Sequence, residues 1–511
     1  MTEWAPTRGP ELPGSVLPTT VVIPTIGRPS LITLLTALRD AERPRPAQLI
    51  VVDDSPVPGE IPGLADVLPD DAIVLHSGGR GPAAARNLGW RNARTPWVSF
   101  LDDDVLPDCD WPAKLAADLA AAAHDTAGIQ GQLRVPLPAD RRPTDWERCT
   151  AGLATSTWIT ADMTYRRSAL SAVGGFDERF TRAYREDSDL ALRIVATGAR
   201  IVRGSRAISH PIRPTRPWTS VKQQAGNADD VLMRRLHGRG WRELAEAPAG
   251  RAHRHAAVTV TGLAALVAAA LGRHRMAAGC ALAAGLGVTE FALARIAPGP
   301  RDRAEVTRMV STSLLIPPAA VWHRLRGQWQ HRRAGAWRGL PDLVLFDRDG
   351  TLVHDVPYNG DPALARAVPG ARAAVHSLRA CGVRVGMVTN QSGVGSGRLT
   401  EDQVHAVNRR VAELVGPFDV VETCLHTADA GCGCRKPAPG MVESACNALD
   451  LLPARCIVIG DIGSDVDAAR AAGAVGVLVP TPATRPAEVE AALLTEPDLT
   501  SAASRILAGA W

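Results

Sequence analysis

Eight short apolar runs, each stopping at polar or acidic residues, limit what this chain can fold into. Three lie towards the N-terminus: TVVIPT (20–25), LIVVDD (49–54) and WVSFLDDD (97–104). Five lie towards the C-terminus: DLVLFDRDGT (342–351), VRVGMVTNQSG (383–393), VVETCLH (420–426), CIVIGDIGSD (456–465) and GVLVPT (476–481). Uninterrupted apolar runs of this length suit strands buried on both faces, as in parallel sheets covered by helices. Helical patterns such as LITLLTALRDA and GPAAARNLGWRNA stand between them. Strand–helix alternation of this kind predicts α/β architecture. The long gap between the groups predicts two separate α/β domains, over 19–245 and 338–511. A flexible N-terminus (1–18) precedes them and an apolar helical segment (246–337) joins them. Such sheets bind ligands at the carboxyl ends of their strands, where these acids fall.

The formal net charge is +4 over 511 residues. That gives no basic footprint of the kind nucleic acid needs. Three of the 57 basic residues are lysines (Lys114, Lys222, Lys436), so a lysine is more telling here than an arginine. The first residues show no basic stretch followed by an apolar core, so no secretory signal is expected. There is also no GxGxxG and no GxxxxGK[ST], which disfavours a dinucleotide oxidoreductase or a P-loop ATPase.

In the C-terminal group, the 342–351 run delivers Asp347 and Asp349 to a strand end, followed by Gly350-Thr351. Alternate residues on an extended segment point the same way. Two such carboxylates can hold Mg2+. One can attack phosphorus while the other protonates the leaving oxygen. Thr389 and Asn390 end the next strand and offer a hydroxyl and backbone N–H groups to a phosphate. Arg435 and Lys436 add fixed positive charge, and Asp461 and Asp465 add carboxylates for a metal. Four motifs in this order resemble the haloacid dehalogenase superfamily of phosphohydrolases. The resemblance implies Asp347 as the nucleophile and Asp349 as general acid/base. Thr389 and Lys436 become phosphate binders, and Asp347 and Asp461, with the backbone carbonyl of Asp349, Mg2+ ligands. Asp465 becomes a supporting carboxylate.

Cys424, His426, Cys432 and Cys434 lie within eleven residues. Three thiolates and an imidazole suit a closed structural zinc site, and the cluster runs directly into Arg435-Lys436-Pro437. Together with TNQSG, this looks like the D-glycero-D-manno-heptose 1,7-bisphosphate phosphatase and histidinol-phosphatase branch. The gap between His426 and the second Cys pair is shorter than usual in that branch. The space between Thr351 and Thr389 admits a short loop and one helix, not a cap domain. In that branch Arg435 is expected to contact a second phosphate or the sugar.

In the N-terminal group, Thr25 ends one strand and Asp53-Asp54 the next. Either acid can accept hydrogen bonds from a nucleobase or ribose. Asp102, Asp103 and Asp104 can bind a cation that neutralises a diphosphate leaving group. Glu186 and Asp187 open a later helix, where a carboxylate can deprotonate an acceptor hydroxyl. With GGFDE (174–178) and Ala85-Arg86-Asn87, these resemble the family 2, GT-A-fold glycosyltransferases. The resemblance implies Thr25, Asp53, Asp54, Arg86 and Asp102 around a nucleotide sugar and Asp103 and Asp104 on Mn2+ or Mg2+. It implies Asp187 as catalytic base, with Glu186 as the alternative. His210 reads as a structural histidine before it reads as a group reaching the metal or diphosphate. The Q-x-x-R-W of processive synthases is absent.

The chain is therefore expected to be a bifunctional enzyme with a sugar phosphate substrate, a nucleotide-sugar donor and an undefined acceptor. An alternative keeps only the phosphatase active. Residues 256–272 are seventeen uncharged residues, 276–289 are apolar, and a third segment is broken by Pro317-Pro318. A membrane hairpin, a hairpin lying on the inner membrane surface and a buried helical linker all remain open for a protein expected in the cytoplasm.

Overall fold

The computed structural model describes residues 16–511 except 333, 508 and 510. It divides into two compact units, Met1–Ala336 and Trp337–Trp511.

The first unit holds an eight-stranded sheet in the order β3-β2-β1-β4-β7-β6-β8-β5. Its strands are β1 (Val16–Thr25), β2 (Arg45–Asp53), β3 (Ile73–His76), β4 (Trp97–Leu101), β5 (Leu106–Pro107), β6 (Thr126–Arg134), β7 (Asp162–Arg166) and β8 (Arg200–Ser209). The β3-β2-β1-β4 half is parallel. Its central residues, among them Val22, Val51, Val52 and Phe100, are fully buried. Each such side chain is worth about 1.5–3 kcal/mol removed from water. The register aligns Thr25 with Asp53, and Asp53 with His76. Val22 pairs with Phe100 on β4, so the three expected site strands, β1, β2 and β4, end along one edge. The other half is mixed: β7 runs antiparallel to β4 and β6, β8 runs parallel to β6, and β5 is antiparallel to β8.

Three long helices complete this unit: Ala252–Ala270, His274–Ile296 and Arg303–Gln330. The first two form a hairpin, and the third packs on the Asn227–His237 helix. At their crossing a Cβ on Gly327 would stand 2.7 Å from the Ala228 Cα, so the close approach needs glycine. Pro317 and Pro318 do not break the third helix, contrary to expectation. A proline inside a helix costs about 3 kcal/mol. Packing compensates here, because Met309, Ile316, Pro317 and Ala320 are all buried.

The second unit is a five-stranded parallel sheet in the order β11-β10-β9-β12-β13. Its strands are β9 (Leu343–Asp347), β10 (Arg384–Asn390), β11 (Val420–Cys424), β12 (Cys456–Gly460) and β13 (Val475–Leu478). These are the five runs read from the sequence. The central β9 is buried along its whole length. Between Thr351 and Thr389 lie a loop, a short 3-10 turn (Pro362–Leu364) and one helix (Ala371–Ala380). The site accordingly has no cap.

Candidate active sites

The second unit gathers its chemistry at the carboxyl ends of β9, β10 and β12. Register pairs Asp347 with Val388, which sets Thr389 one step beyond the Asp347 carboxylate. Asp461 follows β12, and Asp465 lies in the first turn of the Gly463–Ala471 helix. The carboxylates of Asp347, Asp461 and Asp465 lie within 4.8 Å of one another, all buried. The Lys436 ammonium pairs with Asp347, stands 2.6 Å from Asp465 Oδ1 and donates to the Val388 carbonyl at 3.2 Å. Three carboxylates against one ammonium leave a net negative charge in a buried space, the condition that suits a hard divalent cation. The crowding shows in the proton affinities. Burial pushes the Asp347 carboxyl up to about 8; the Lys436 ammonium opposes the shift, while Asp465 and Asp349 add to it. Burial and then Asp465 push Asp461 up to about 6. For Lys436, burial works downward, but the two carboxylates outweigh it and hold the ammonium above its ordinary value. Gly350, at φ +83°, is what lets Asp461 approach, since a Cβ there would stand 2.3 Å from Asp461 Oδ2.

Asp349 turns its carboxylate away from this cluster. Arg348 donates to both oxygens (3.0 and 2.8 Å), and Gln391 Nε2 donates to Oδ2 at 2.8 Å and to Thr389 Oγ1 at 2.9 Å. Arg348 is itself buried and donates to Asn408 Oδ1 at 2.8 Å. Arg348 and Gln391 were not singled out from the sequence, though one sits inside the D-x-D motif and the other inside TNQSG. Asn390 exchanges two 3.2 Å hydrogen bonds with the Lys436 backbone, so it positions the lysine as well as lining the cavity. That cavity, of about 280 Å3, is lined by Asp347, Asp349, Thr389, Asn390, Gln391, Lys436 and Asp461, together with Tyr358 and Asn359 from the short loop. Arg435 does not line it. Its guanidinium donates to the His426 carbonyl at 3.3 Å, because the metal loop turns it there.

Cys424, His426, Cys432 and Cys434 converge as the spacing predicts. Sulfur and nitrogen separations are 3.3, 3.3, 3.5, 3.6 and 3.7 Å. A tetrahedron around an ion with bonds near 2.3 Å has edges of about 3.7 Å. Four such donors therefore fit one tetrahedral ion. Register places Cys424 beside Asn390, which ties this loop to the phosphate-facing strand end.

In the first unit, Arg86, 2% exposed, joins two expected residues: Nη1 reaches Glu186 and Nη2 reaches Asp102, both at 2.8 Å. Burial, then Asp187, pushes the Glu186 carboxyl up to about 8 against the Arg86 guanidinium. Glu186 is thus committed to Arg86 beneath the site. Asp187 remains partly exposed, its Oδ1 accepting from the Ser188 N–H at 2.7 Å. Enclosure raises its proton affinity too. Of the two, Asp187 is placed to act as base.

Each acid of the triple finds a different arginine. Asp102 takes Arg86, and Asp103 takes Arg28 at 2.8 Å together with the Thr25 hydroxyl at 2.7 Å. Asp104 takes Arg213, with His210 Nε2 at 3.5 Å. His210 faces the last acid. Asp103 and Asp104 are not among the metal-type clusters found in the described residues, because Asp103 is turned onto Thr25 and Arg28. Asp53 accepts from the Ser55 N–H (2.9 Å) and hydroxyl (2.6 Å). His76 Nδ1 lies 3.4 Å from its other oxygen. Asp54 is occupied structurally: it accepts from the Ser77 hydroxyl at 2.6 Å and the Gly81 N–H at 2.9 Å.

Comparison with known proteins agrees with both geometries. Residues 20–185 match the Glycosyl transferase family 2 profile, and residues 433–503 match a HAD-hydrolase-like profile. A D-glycero-beta-D-manno-heptose-1,7-bisphosphate 7-phosphatase from Rhodopseudomonas palustris is 39% identical over 144 residues, covering 26% of this chain and 80% of that protein. This chain carries a family 2 glycosyltransferase domain, and its second unit belongs to the heptose-bisphosphate phosphatase family. The transferase half is 33% identical over 198 residues to the pre-mycofactocin glycosyltransferase of Mycobacterium tuberculosis, covering 36% of this chain and 40% of that one. Among solved structures, the heptose 1,7-bisphosphate phosphatase of B. bronchiseptica, complexed with magnesium and phosphate, is 30% identical, covering 32% of this chain and 98% of that one at a TM-score of 0.31.

Proposed function

We propose that the second unit hydrolyses one phosphate monoester of D-glycero-D-manno-heptose 1,7-bisphosphate. The first unit transfers a sugar from a nucleotide donor by inversion. The observation that carries the phosphatase reading is the Lys436 ammonium held between Asp347 and Asp465 beside Asp461. A single ammonium serves the nucleophile and the phosphate at once. Asp347, Asp461 and the backbone carbonyl of Asp349 would hold Mg2+, with Asp465 in support; the cation supplies charge neutralisation for the incoming phosphate. An Asp347 carboxylate oxygen attacks phosphorus and the ester P–O bond breaks. Asp349, oriented by Arg348 and Gln391, gives a proton to the departing sugar oxygen. Asp349 then takes a proton from water, which attacks the aspartyl-phosphate, releases inorganic phosphate and restores Asp347. Thr389 and Lys436 hold the transferring phosphate. The Cys424–His426–Cys432–Cys434 site holds Zn2+ and stiffens the loop that delivers Lys436; it takes no chemical step.

In the transferase, Asp102 and Arg86 floor the donor site and Thr25 and Asp53 face the nucleoside. Asp104, with His210, would hold Mn2+ or Mg2+ at the diphosphate, and Asp103, engaged by Thr25 and Arg28, would join them only by releasing Arg28. Asp187 takes the proton of the acceptor hydroxyl. The test is phosphate release by the full chain with Mg2+ from heptose 1,7-bisphosphate, histidinol phosphate and fructose 1,6-bisphosphate. Preference for the heptose substrate is expected. Preference for histidinol phosphate would overturn the substrate assignment and leave the chemistry of Asp347 standing.

A further inference from the structure

The Ala252–Ile296 hairpin packs inside out for a protein in water. Its two helices meet through small residues. A Cβ on Gly287 would lie 2.5 Å from Val258 Cγ2, and one on Gly262 4.0 Å from the Ala284 Cβ. Ala268 is fully buried. The large side chains point away: Leu263, Leu266, Leu282, Leu286 and Leu293 are 58–69% exposed. Water-soluble hairpins bury leucine and expose the rest. Small residues inside and leucines outside is the packing of helices whose solvent is lipid.

Among the described residues, one of the two helices has the length and composition of a span. His274–Ile296 is long and apolar enough to cross a membrane, and only 6% of its apolar window is buried. Over 276–289 it has no polar face. An interfacial helix needs such a face, so this helix is not built to lie flat on the surface. At 1.5 Å per residue the uncharged stretches, 256–272 and 276–289, measure about 25 and 21 Å. The hydrocarbon core is about 30 Å thick, and the long side chains of Arg273 and Arg275 at the tip extend the reach to headgroups. The hairpin's one acidic residue, Glu290, sits at the base, clamped by Arg251 (2.9 Å) and Arg254 (3.0 Å). That base is fixed to the transferase, where Arg295 pairs with Asp145 at 2.8 Å. Beside it, Leu325 and Arg324 share a cleft with Ala252 and His255. The Arg303–Gln330 helix thus brings an exposed stripe, Trp322, Leu325 and Trp329, to the same level. Tryptophan at the end of an apolar span marks the headgroup region.

We propose that this hairpin inserts into an anionic phospholipid bilayer, entering and leaving on one face. The inference is independent of either site's chemistry. The experiment is flotation of the purified full chain with vesicles of phosphatidylcholine and phosphatidylglycerol, followed by alkaline carbonate extraction. The chain is expected to float and to resist carbonate. Leu263→Glu with Leu266→Glu, and separately Leu282→Glu with Leu286→Glu, should each cut the carbonate-resistant fraction about 100-fold, since charge at a span centre is strongly disfavoured. A helix content and a melting temperature of the detergent-solubilised chain that match the wild type, read by circular dichroism, would show that these variants fold. A chain that floats but is stripped by carbonate overturns insertion in favour of surface adsorption. A chain that stays at the bottom of the gradient as a discrete oligomer overturns it in favour of a second copy covering the leucines. Unaltered flotation of both variants also overturns it.

Discussion

Arg348 and Gln391 fix the carboxylate of Asp349 from two sides, so the proposed acid–base group is positioned before substrate arrives. Replacing Gln391 with Met should lower kcat about 10-fold, within the range that acid–base placement commands, and leave KM nearly unchanged. Steady-state kinetics would check this; a change in KM alone would make Gln391 a substrate contact. Glu186 offers a test of sign. Its folded proton affinity lies near 8, above its unfolded value, chiefly through burial. Its contribution to stability is present in full below the unfolded value and is lost as pH rises through about 8. The melting temperature of the wild type relative to Glu186→Gln should therefore fall between pH 6 and pH 9. A difference independent of pH would contradict the assignment. Most of the proposed catalytic residues were legible because acids at strand ends have few structural uses. Arg348, Gln391, Arg28 and Arg213 were not, because their roles depend on partners distant in sequence: Arg28 meets Asp103 and Arg348 meets Asn408.

At the scale of elements, the metal loop and the phosphate-facing strand act as one piece, because Asn390 pairs with Cys424 and bonds the Lys436 backbone. Cys432→Ser should drop bound zinc well below one ion per chain and lower phosphate release about 10- to 100-fold, the usual effect of disturbing a metal site's support. Elemental analysis with kinetics decides it; full activity without zinc would detach the loop from catalysis. All five strands of the second sheet could be read because parallel strands are largely apolar, though Glu422 and Thr423 interrupt β11. Strands β6 and β7 could not. Gly128 and Gly131 interrupt β6, and a Cβ on Gly131 would stand 2.0 Å from Asp162 Oδ2. Asp162, on β7, is buried against Arg206 and the Trp111 indole at 2.8 and 2.9 Å. A buried polar network there replaces the apolar pattern that marks a strand. The two prolines misled for the opposite reason: tertiary packing on both sides held a helix that local propensity would end.

For the whole molecule, two separate units each carry a candidate site, with Asp347 the proposed nucleophile of one and Asp187 the proposed base of the other. Sugar phosphate and nucleotide sugar belong to the same kind of chemistry, and one chain holding both enzymes fixes their ratio. The most direct measurement follows phosphate release from heptose 1,7-bisphosphate and sugar-nucleotide turnover in parallel, for the wild type, Asp347→Asn and Asp187→Asn. The account predicts that Asp347→Asn abolishes phosphate release and leaves sugar-nucleotide turnover intact, and that Asp187→Asn does the reverse. Loss of both activities from either single substitution, or phosphate release that survives Asp347→Asn, would contradict it.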